Sequence, residues 1–81
     1  MSIENKIKEY ILENYMFTDD ESALANDVSF IEKGIIDSTG IMEVIFFLEQ
    51  EFNITVEDDE MVPENLDSVN NIVAFVNKKT A

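Results

Sequence analysis

The chain has 81 residues, of which 46% are hydrophobic, so it suits one small domain and leaves no room for a second core. Its 18 acidic residues and 5 lysines give a net charge of −13. That charge argues against nucleic acids and anionic membranes as partners, because both are bound through basic side chains. The partners that it favours are proteins with basic surfaces.

Cysteine and histidine are both absent from the sequence. The chain can therefore form no disulfide and no thiolate metal site. Residues 1–8 carry charges where a signal peptide needs an apolar run, and no stretch approaches the roughly 18 apolar residues of a membrane span. We expect a cytoplasmic protein that acts as a monomer.

The first predicted helix covers about residues 3–15. Ser2 is a favoured capping residue, and Ile7, Ile11 and Tyr15 follow Ile3 at intervals of four. This spacing places the four side chains on one face, which predicts an amphipathic helix.

Residues 16–37 lack helical periodicity and form a long predicted loop. Loops longer than about 12 to 15 residues are uncommon in compact domains and tend to be functional. We expect Gly34 to end a short turn in a left-handed conformation. The apolar residues expected to anchor the loop in the core are Phe30, Ile31, Ile35 and Ile36.

The second predicted helix runs from about residue 38 to 51, with a core-facing stripe that contains Ile41, Ile45 and Leu48. A second apolar line, Met42 and Phe46, lies on another face among polar residues. Two interpretations of this line stay open, because apolar residues at helical spacing are usually packed in the core but also form docking surfaces.

Residues 52–57 alternate like a strand, yet a lone strand has no backbone partner, so we expect an extended connection. Residues 57–60 are all acidic but lack the spacing of a calcium loop, and we predict no metal site there. A short helix at about 59–65 and a last helix at about 68–78, capped by Asp67 or Ser68, complete the chain. The predicted fold is an all-α bundle with three main helices and one short helix, formed by residues 1–81 as a single domain.

Ser38 lies where the long loop turns into the second helix. A nucleophilic serine needs an adjacent base, and the nearest carboxylate, Asp37, is a weak base with an ordinary pKa of about 4. A serine hydrolase, and enzymatic activity in general, are therefore disfavoured. Two interpretations remain for Ser38, a helix cap and a hydroxyl that a separate enzyme modifies.

The wider pattern resembles the acyl carrier and peptidyl carrier protein family. It comprises Phe30, Gly34-x-x-Asp37-Ser38, Glu43, then Leu48-Glu49-x-x-Phe52-x-Ile54-x-Val56, and Ser68-Val69 before a final helix rich in Val, Ile and Phe. The resemblance implies a four-helix carrier that is not an enzyme. It also implies that Ser38 receives 4′-phosphopantetheine from coenzyme A, through a separate magnesium-dependent transferase, and that the arm holds an acyl or aminoacyl group as a thioester.

In this family the second helix docks partner enzymes, so the resemblance implies a docking surface around Ser38. The partners would be the transferase, a loading ligase and acyl-transferring enzymes, all with basic docking surfaces. The docking residues carried over to this chain are Asp37, Thr39, Met42, Glu43, Phe46, Glu49 and Gln50.

The charge pattern supports the resemblance independently, because residues 34–77 contain ten carboxylates and no lysine. Such a surface steers basic partners towards it. The same charge would also suit a small acidic adaptor or inhibitor that is never modified, and this alternative stays open.

The family's usual Asp-Ser-Leu is here Asp37-Ser38-Thr39, followed by Gly40. Glycine weakens a first helical turn by about 0.5 to 1 kcal/mol relative to alanine. Phe46 and Phe47 add bulk that could fill space for a long acyl chain. We therefore expect a specialised stand-alone carrier with a short acyl or aminoacyl cargo.

Overall fold

Four α-helices, and no strand, occur in residues 2–80, which are the residues that the computed structural model describes. Met1 and Ala81, the two ends of the predicted domain, lie outside the described residues. The helices are α1 (Ile3–Ile11), α2 (Ser38–Phe52), α3 (Pro63–Leu66) and α4 (Val69–Thr80). The predicted all-α bundle of three main helices and one short helix is confirmed.

The first helix begins where the sequence indicates, because the Ser2 hydroxyl oxygen accepts a hydrogen bond from the Asn5 amide at 3.1 Å. Regular α-helix stops at Ile11, however, and Leu12–Met16 form a π-helical turn. Phe17 closes this turn at a left-handed φ of 55°. The expectation of one regular helix to residue 15 is therefore wrong, because residues 12–15 belong to the π-helical turn.

The long connection between α1 and α2 is anchored in the core, as its apolar residues predict. Phe30 and Ile36 are buried, and so is Leu24, which is not among the predicted anchors. Ile31 is 49% exposed, so its expected role as an anchor is wrong. The left-handed conformation of Gly34 is confirmed by its φ of 70°.

Asp67 ties this connection to the start of α4. Its backbone carbonyl accepts from the Phe30 amide at 2.8 Å, and its carboxylate accepts from the Ile31 amide at 3.0 Å and from the Ser29 hydroxyl. Ser68 caps α4 instead, because its hydroxyl oxygen accepts a hydrogen bond from the Asn71 amide at 3.1 Å. Of the two predicted capping residues, Asp67 thus has a tertiary role.

The predicted short helix at 59–65 is divided in two. Asp58–Glu60 form a 3₁₀ turn, and α3 starts only at Pro63. Proline disfavours helical geometry in the residue before it but suits the first position of a helix, which accounts for the division. The last helix ends at Thr80, two residues beyond its predicted end.

The helices α1 and α2 lie antiparallel. Lys6 pairs with Glu51 at 2.8 Å near the end of α2, whereas Tyr15 contacts Gly40 at its start. The core beneath them is formed by side chains from all four α-helices and from the connections. Its buried apolar members are Ile7, Ile11, Leu12, Leu24, Phe30, Ile36, Val44, Ile45, Leu48, Val56, Leu66, Val69, Ile72, Phe75 and Val76.

Candidate functional site

The Asp37-Ser38 pair divides two roles between its members. Asp37 has an extended backbone and caps α2, because its Oδ1 accepts a hydrogen bond from the Gly40 amide at 2.8 Å. Ser38 is the first residue of α2 and is exposed. The capping interpretation therefore applies to Asp37, and the Ser38 hydroxyl is accessible to another protein.

Ser38 also borders an apolar cleft of about 220 Å³ between α2, α3 and the connection that precedes α2. The lining residues are Ile31, Ser38, Ile41, Met42, Ile45, Met61, Val62, Pro63, Leu66 and Asp67. The Asp67 carboxylate already accepts hydrogen bonds from the Ile31 amide and the Ser29 hydroxyl. The cleft thus offers an apolar surface directly beside a free hydroxyl.

The surroundings of Ser38 favour an attached anion over catalysis. Asp37 is engaged with the Gly40 amide, and the sequence holds no histidine that could take the serine proton. The first amides of a helix lack partners within the helix and lie at its positive end, where a phosphate group is stabilised. The site can therefore carry a phosphate ester on Ser38 but lacks the means to form one.

Met42 and Phe46 lie on the surface of α2, with 55% and 64% of their area exposed, so they are not additional core. They line a shallow groove together with Glu43, Gln50 and Phe47. Tyr10 of α1 closes this groove. The sequence does not indicate that Tyr10 belongs to this surface, because the pattern of α1 does not show which residues of α2 it meets.

Phe46 and Phe47, although adjacent, have different environments. The Phe47 ring stacks on the Tyr10 ring with centroids 3.9 Å apart and meets Phe52 edge-on at 6.3 Å. Neither Phe46 nor Phe47 lines the cleft beside Ser38. Their bulk therefore takes no space from this cleft, while Phe47 packs against the core, and the short cargo stays a prediction.

The two glutamates expected at the docking surface also differ. Glu49 is half-buried and its Oε2 accepts from the Val56 amide at 3.0 Å, so it holds the extended connection after α2. Glu43 is exposed, and its carboxylate accepts from the Tyr15 hydroxyl at 3.0 Å. Thr39, between the Ser38 position and this acid, is exposed as well.

The lysine ion pairs found within residues 2–80 are Lys6 with Glu51 and Lys79 with Glu60, each at 2.8 Å. Asp37 and Glu43 instead accept hydrogen bonds from neutral donors. Neither belongs to these lysine ion pairs, so both carboxylates near Ser38 are available to a cationic partner.

None of the helices within residues 2–80 combines the length and the apolar character that crossing a bilayer requires.

Comparisons with known proteins agree with the resemblance in the sequence. No protein-family model matches the chain. An acyl carrier protein of Buchnera aphidicola subsp. Acyrthosiphon pisum (strain Tuc7) is 35% identical over 78 residues, which cover 96% of this chain and 92% of that protein. One from Desulforapulum autotrophicum is 30% identical over 80 residues, which cover 99% of this chain and 100% of that protein. Another from Buchnera aphidicola subsp. Baizongia pistaciae is 36% identical over 77 residues, with 95% and 94% covered. The chain therefore belongs to the acyl carrier protein family.

Proposed function

We propose that this protein is an acyl carrier in which the Ser38 hydroxyl is esterified with 4′-phosphopantetheine, supplied by coenzyme A and transferred by a separate magnesium-dependent enzyme. The observation that carries the proposal is the exposed Ser38 at the first position of α2, beside an apolar cleft and with its neighbour Asp37 occupied as the cap. Membership of the acyl carrier protein family supports the same role.

The residues around Ser38 suit this group. The start of α2 is the positive end of the helix, which stabilises a phosphate on the serine oxygen. The exposed position of Ser38 lets the rest of the arm extend into solvent or along the cleft. When bound, the arm supplies a terminal thiol that carries the acyl group as a thioester. The chain itself contributes the attachment oxygen and the surface that partners contact.

The cargo that the cleft favours is an apolar acyl group. Its lining is apolar except for Ser38 and Asp67. An aminoacyl cargo would bring an ammonium group, which loses hydration on burial unless an acid pairs with it. Asp67 is engaged by Ser29 and Ile31, so it is poorly placed to pair with that ammonium group.

The proposed partners are the transferase and acyl-handling enzymes whose docking surfaces are basic. Asp37 and Glu43 would meet cationic side chains, and Met42 and Phe46 would meet apolar ones. Thr39 and Gln50 complete the exposed face, whereas Glu49 contributes mainly by holding Val56.

The test is to incubate the purified chain with coenzyme A, magnesium and a broad-specificity phosphopantetheinyl transferase, and to measure its intact mass. We expect the unaltered chain to gain one phosphopantetheine and Ser38→Ala to gain none. Thr55→Ala is the matched control, because it removes an exposed hydroxyl outside the proposed docking surface and should leave the modification intact.

An unchanged mass of the unaltered chain, in a reaction that labels a known carrier, would overturn the proposal and favour an unmodified acidic adaptor. Modification of Ser38→Ala would place the attachment site elsewhere and would equally contradict it.

A further inference from the structure

Tyr15, in the π-helical turn after α1, forms hydrogen bonds with the start of α2. Its hydroxyl lies 3.0 Å from Oε1 of Glu43 and 3.3 Å from the carbonyl oxygen of Gly40. A phenol has one proton to donate, and the shorter distance and the negative charge both favour Glu43 as its acceptor. The ring is half-buried and meets the Tyr10 ring edge-on at 6.0 Å.

A π-helical turn and a glycine of α2 meet at this contact. Tyr15 lies in the π-helical turn Leu12–Met16, and such turns occur frequently at functional sites. Gly40 lies in the first turn of α2, where a Cβ would be only 2.7 Å from Cγ2 of Ile36 and 3.3 Å from Cε1 of Tyr15. Because it has no Cβ, Gly40 lets both Ile36 and the Tyr15 ring approach the start of α2 closely.

The hydrogen bond restrains an acid that is otherwise free to move. Glu43 is exposed, and within residues 2–80 neither lysine ion pair includes it. Fixing a flexible side chain in advance lowers the entropic cost of binding a partner. Burial raises the pKa of the Tyr15 hydroxyl above its ordinary value, and Tyr10 and Glu43 raise it further, so the hydroxyl stays a donor throughout the neutral range.

We propose that Tyr15 is a positioning residue that holds the Glu43 carboxylate in place for a basic side chain of the enzyme that modifies Ser38. This inference rests on the proposed carrier function. Tyr15 does not contact the reacting atoms in this proposal. Its loss should therefore weaken binding of the modifying enzyme and leave the chemical step unchanged.

The experiment measures kcat and KM for transfer of phosphopantetheine, with the carrier as the varied substrate at low salt. The variants are Tyr15→Phe, which removes only the hydroxyl, Glu43→Gln and the double variant. Glu4→Gln is the matched control, because it removes one carboxylate at the opposite end of α1. Circular dichroism and thermal unfolding establish that each variant is folded.

We expect Tyr15→Phe to raise KM about three-fold with kcat unchanged, and Glu4→Gln to leave both constants unchanged. Glu43→Gln should raise KM at least as much. In the Glu43→Gln background, Tyr15→Phe should have no further effect, because the two residues act as one unit.

Three results would overturn the inference while the unaltered chain is still modified. The first is an unchanged KM for Tyr15→Phe, and the second is an equal increase in both backgrounds, which would show a purely structural role. The third is an unchanged KM for Glu43→Gln, because it would show that the Glu43 carboxylate contributes nothing to binding. This result counts against the inference even if Tyr15→Phe folds poorly. A chain that is not modified at all would instead contradict the carrier function itself.

Discussion

The carboxylate of Asp37 accepts a hydrogen bond from the amide of Gly40 at 2.8 Å, and this bond frees Ser38 from the task of capping α2. The sequence alone leaves both residues as candidates for the cap. Because the aspartate takes that role, the serine can be substituted or modified at little cost to the helix.

Ser38→Ala and Asp37→Ala should therefore differ in stability. We expect Ser38→Ala to change the free energy of unfolding by no more than about 0.5 kcal/mol, as is usual for exposed sites. Asp37→Ala should lower it by about 1 kcal/mol, because one amide at the start of α2 loses its partner. Urea denaturation of the two variants measures both values, and a larger loss for Ser38→Ala would assign the cap to the serine.

Gly40→Ala should destabilise the protein, although alanine is normally the better helix former. In an exposed helix the exchange would stabilise by about 0.5 to 1 kcal/mol. Here the added methyl group would overlap Cγ2 of Ile36 and crowd the Tyr15 ring, so we expect a loss of about 1 to 3 kcal/mol. Denaturant unfolding tests this, with Thr39→Ala as the exposed control in the same turn. A stabilised Gly40→Ala would show that the neighbouring side chains move aside freely.

The sequence predicted features that depend on local spacing. The periodic apolar residues located α1, α2 and α4, and Asp37-Ser38 located the candidate attachment site. Features that depend on distant neighbours were not predictable. The space beside Gly40 is taken by Ile36 and also by Tyr15, which lies 25 positions earlier. Residues of the capping type, such as Asp67, can equally bind a remote backbone.

Ile31 and Phe46 show that burial, too, is not predictable from the apolar pattern alone. Both belong to apolar patterns that are compatible with the core, yet both are largely exposed. Helical periodicity shows which residues share a face, but it does not show whether another element covers that face.

Phe46→Ala and Phe47→Ala form a matched pair of neighbours. Phe47 is half-buried and stacked on Tyr10, so its truncation should cost about 1 to 2 kcal/mol of stability, less than a fully buried phenylalanine. Phe46 is 64% exposed, so its truncation should leave stability nearly unchanged but raise KM for the modifying enzyme. Thermal unfolding and transfer kinetics together check this pattern, and reversed effects would contradict the assigned environments.

Glu60 should make stability depend on pH in the acidic range. The hydrogen bond from Lys79 at 2.8 Å, together with one from the Glu57 amide, lowers the pKa of Glu60 in the folded protein. Because the folded state then binds the proton less tightly than the unfolded state, the stabilisation is complete above the ordinary carboxyl pKa. It is lost as the pH falls through the lowered value.

The measurement compares the unfolding free energy of the unaltered chain and of Glu60→Gln across the acidic range. The difference between them should be largest near neutral pH and should shrink on acidification. A difference that does not vary with pH would show that the ionised form of Glu60 contributes nothing specific.

Asp67 has a mechanical consequence for the cleft beside Ser38. One wall of the cleft carries Ile31, and the amides of Phe30 and Ile31 are both held by Asp67, where the chain turns into α4. That wall cannot swing outward without breaking these bonds. The lining also includes α3, a single turn of four residues. Widening of the cleft to admit a larger guest should therefore occur by displacement of this short turn, while the rest of the scaffold stays still.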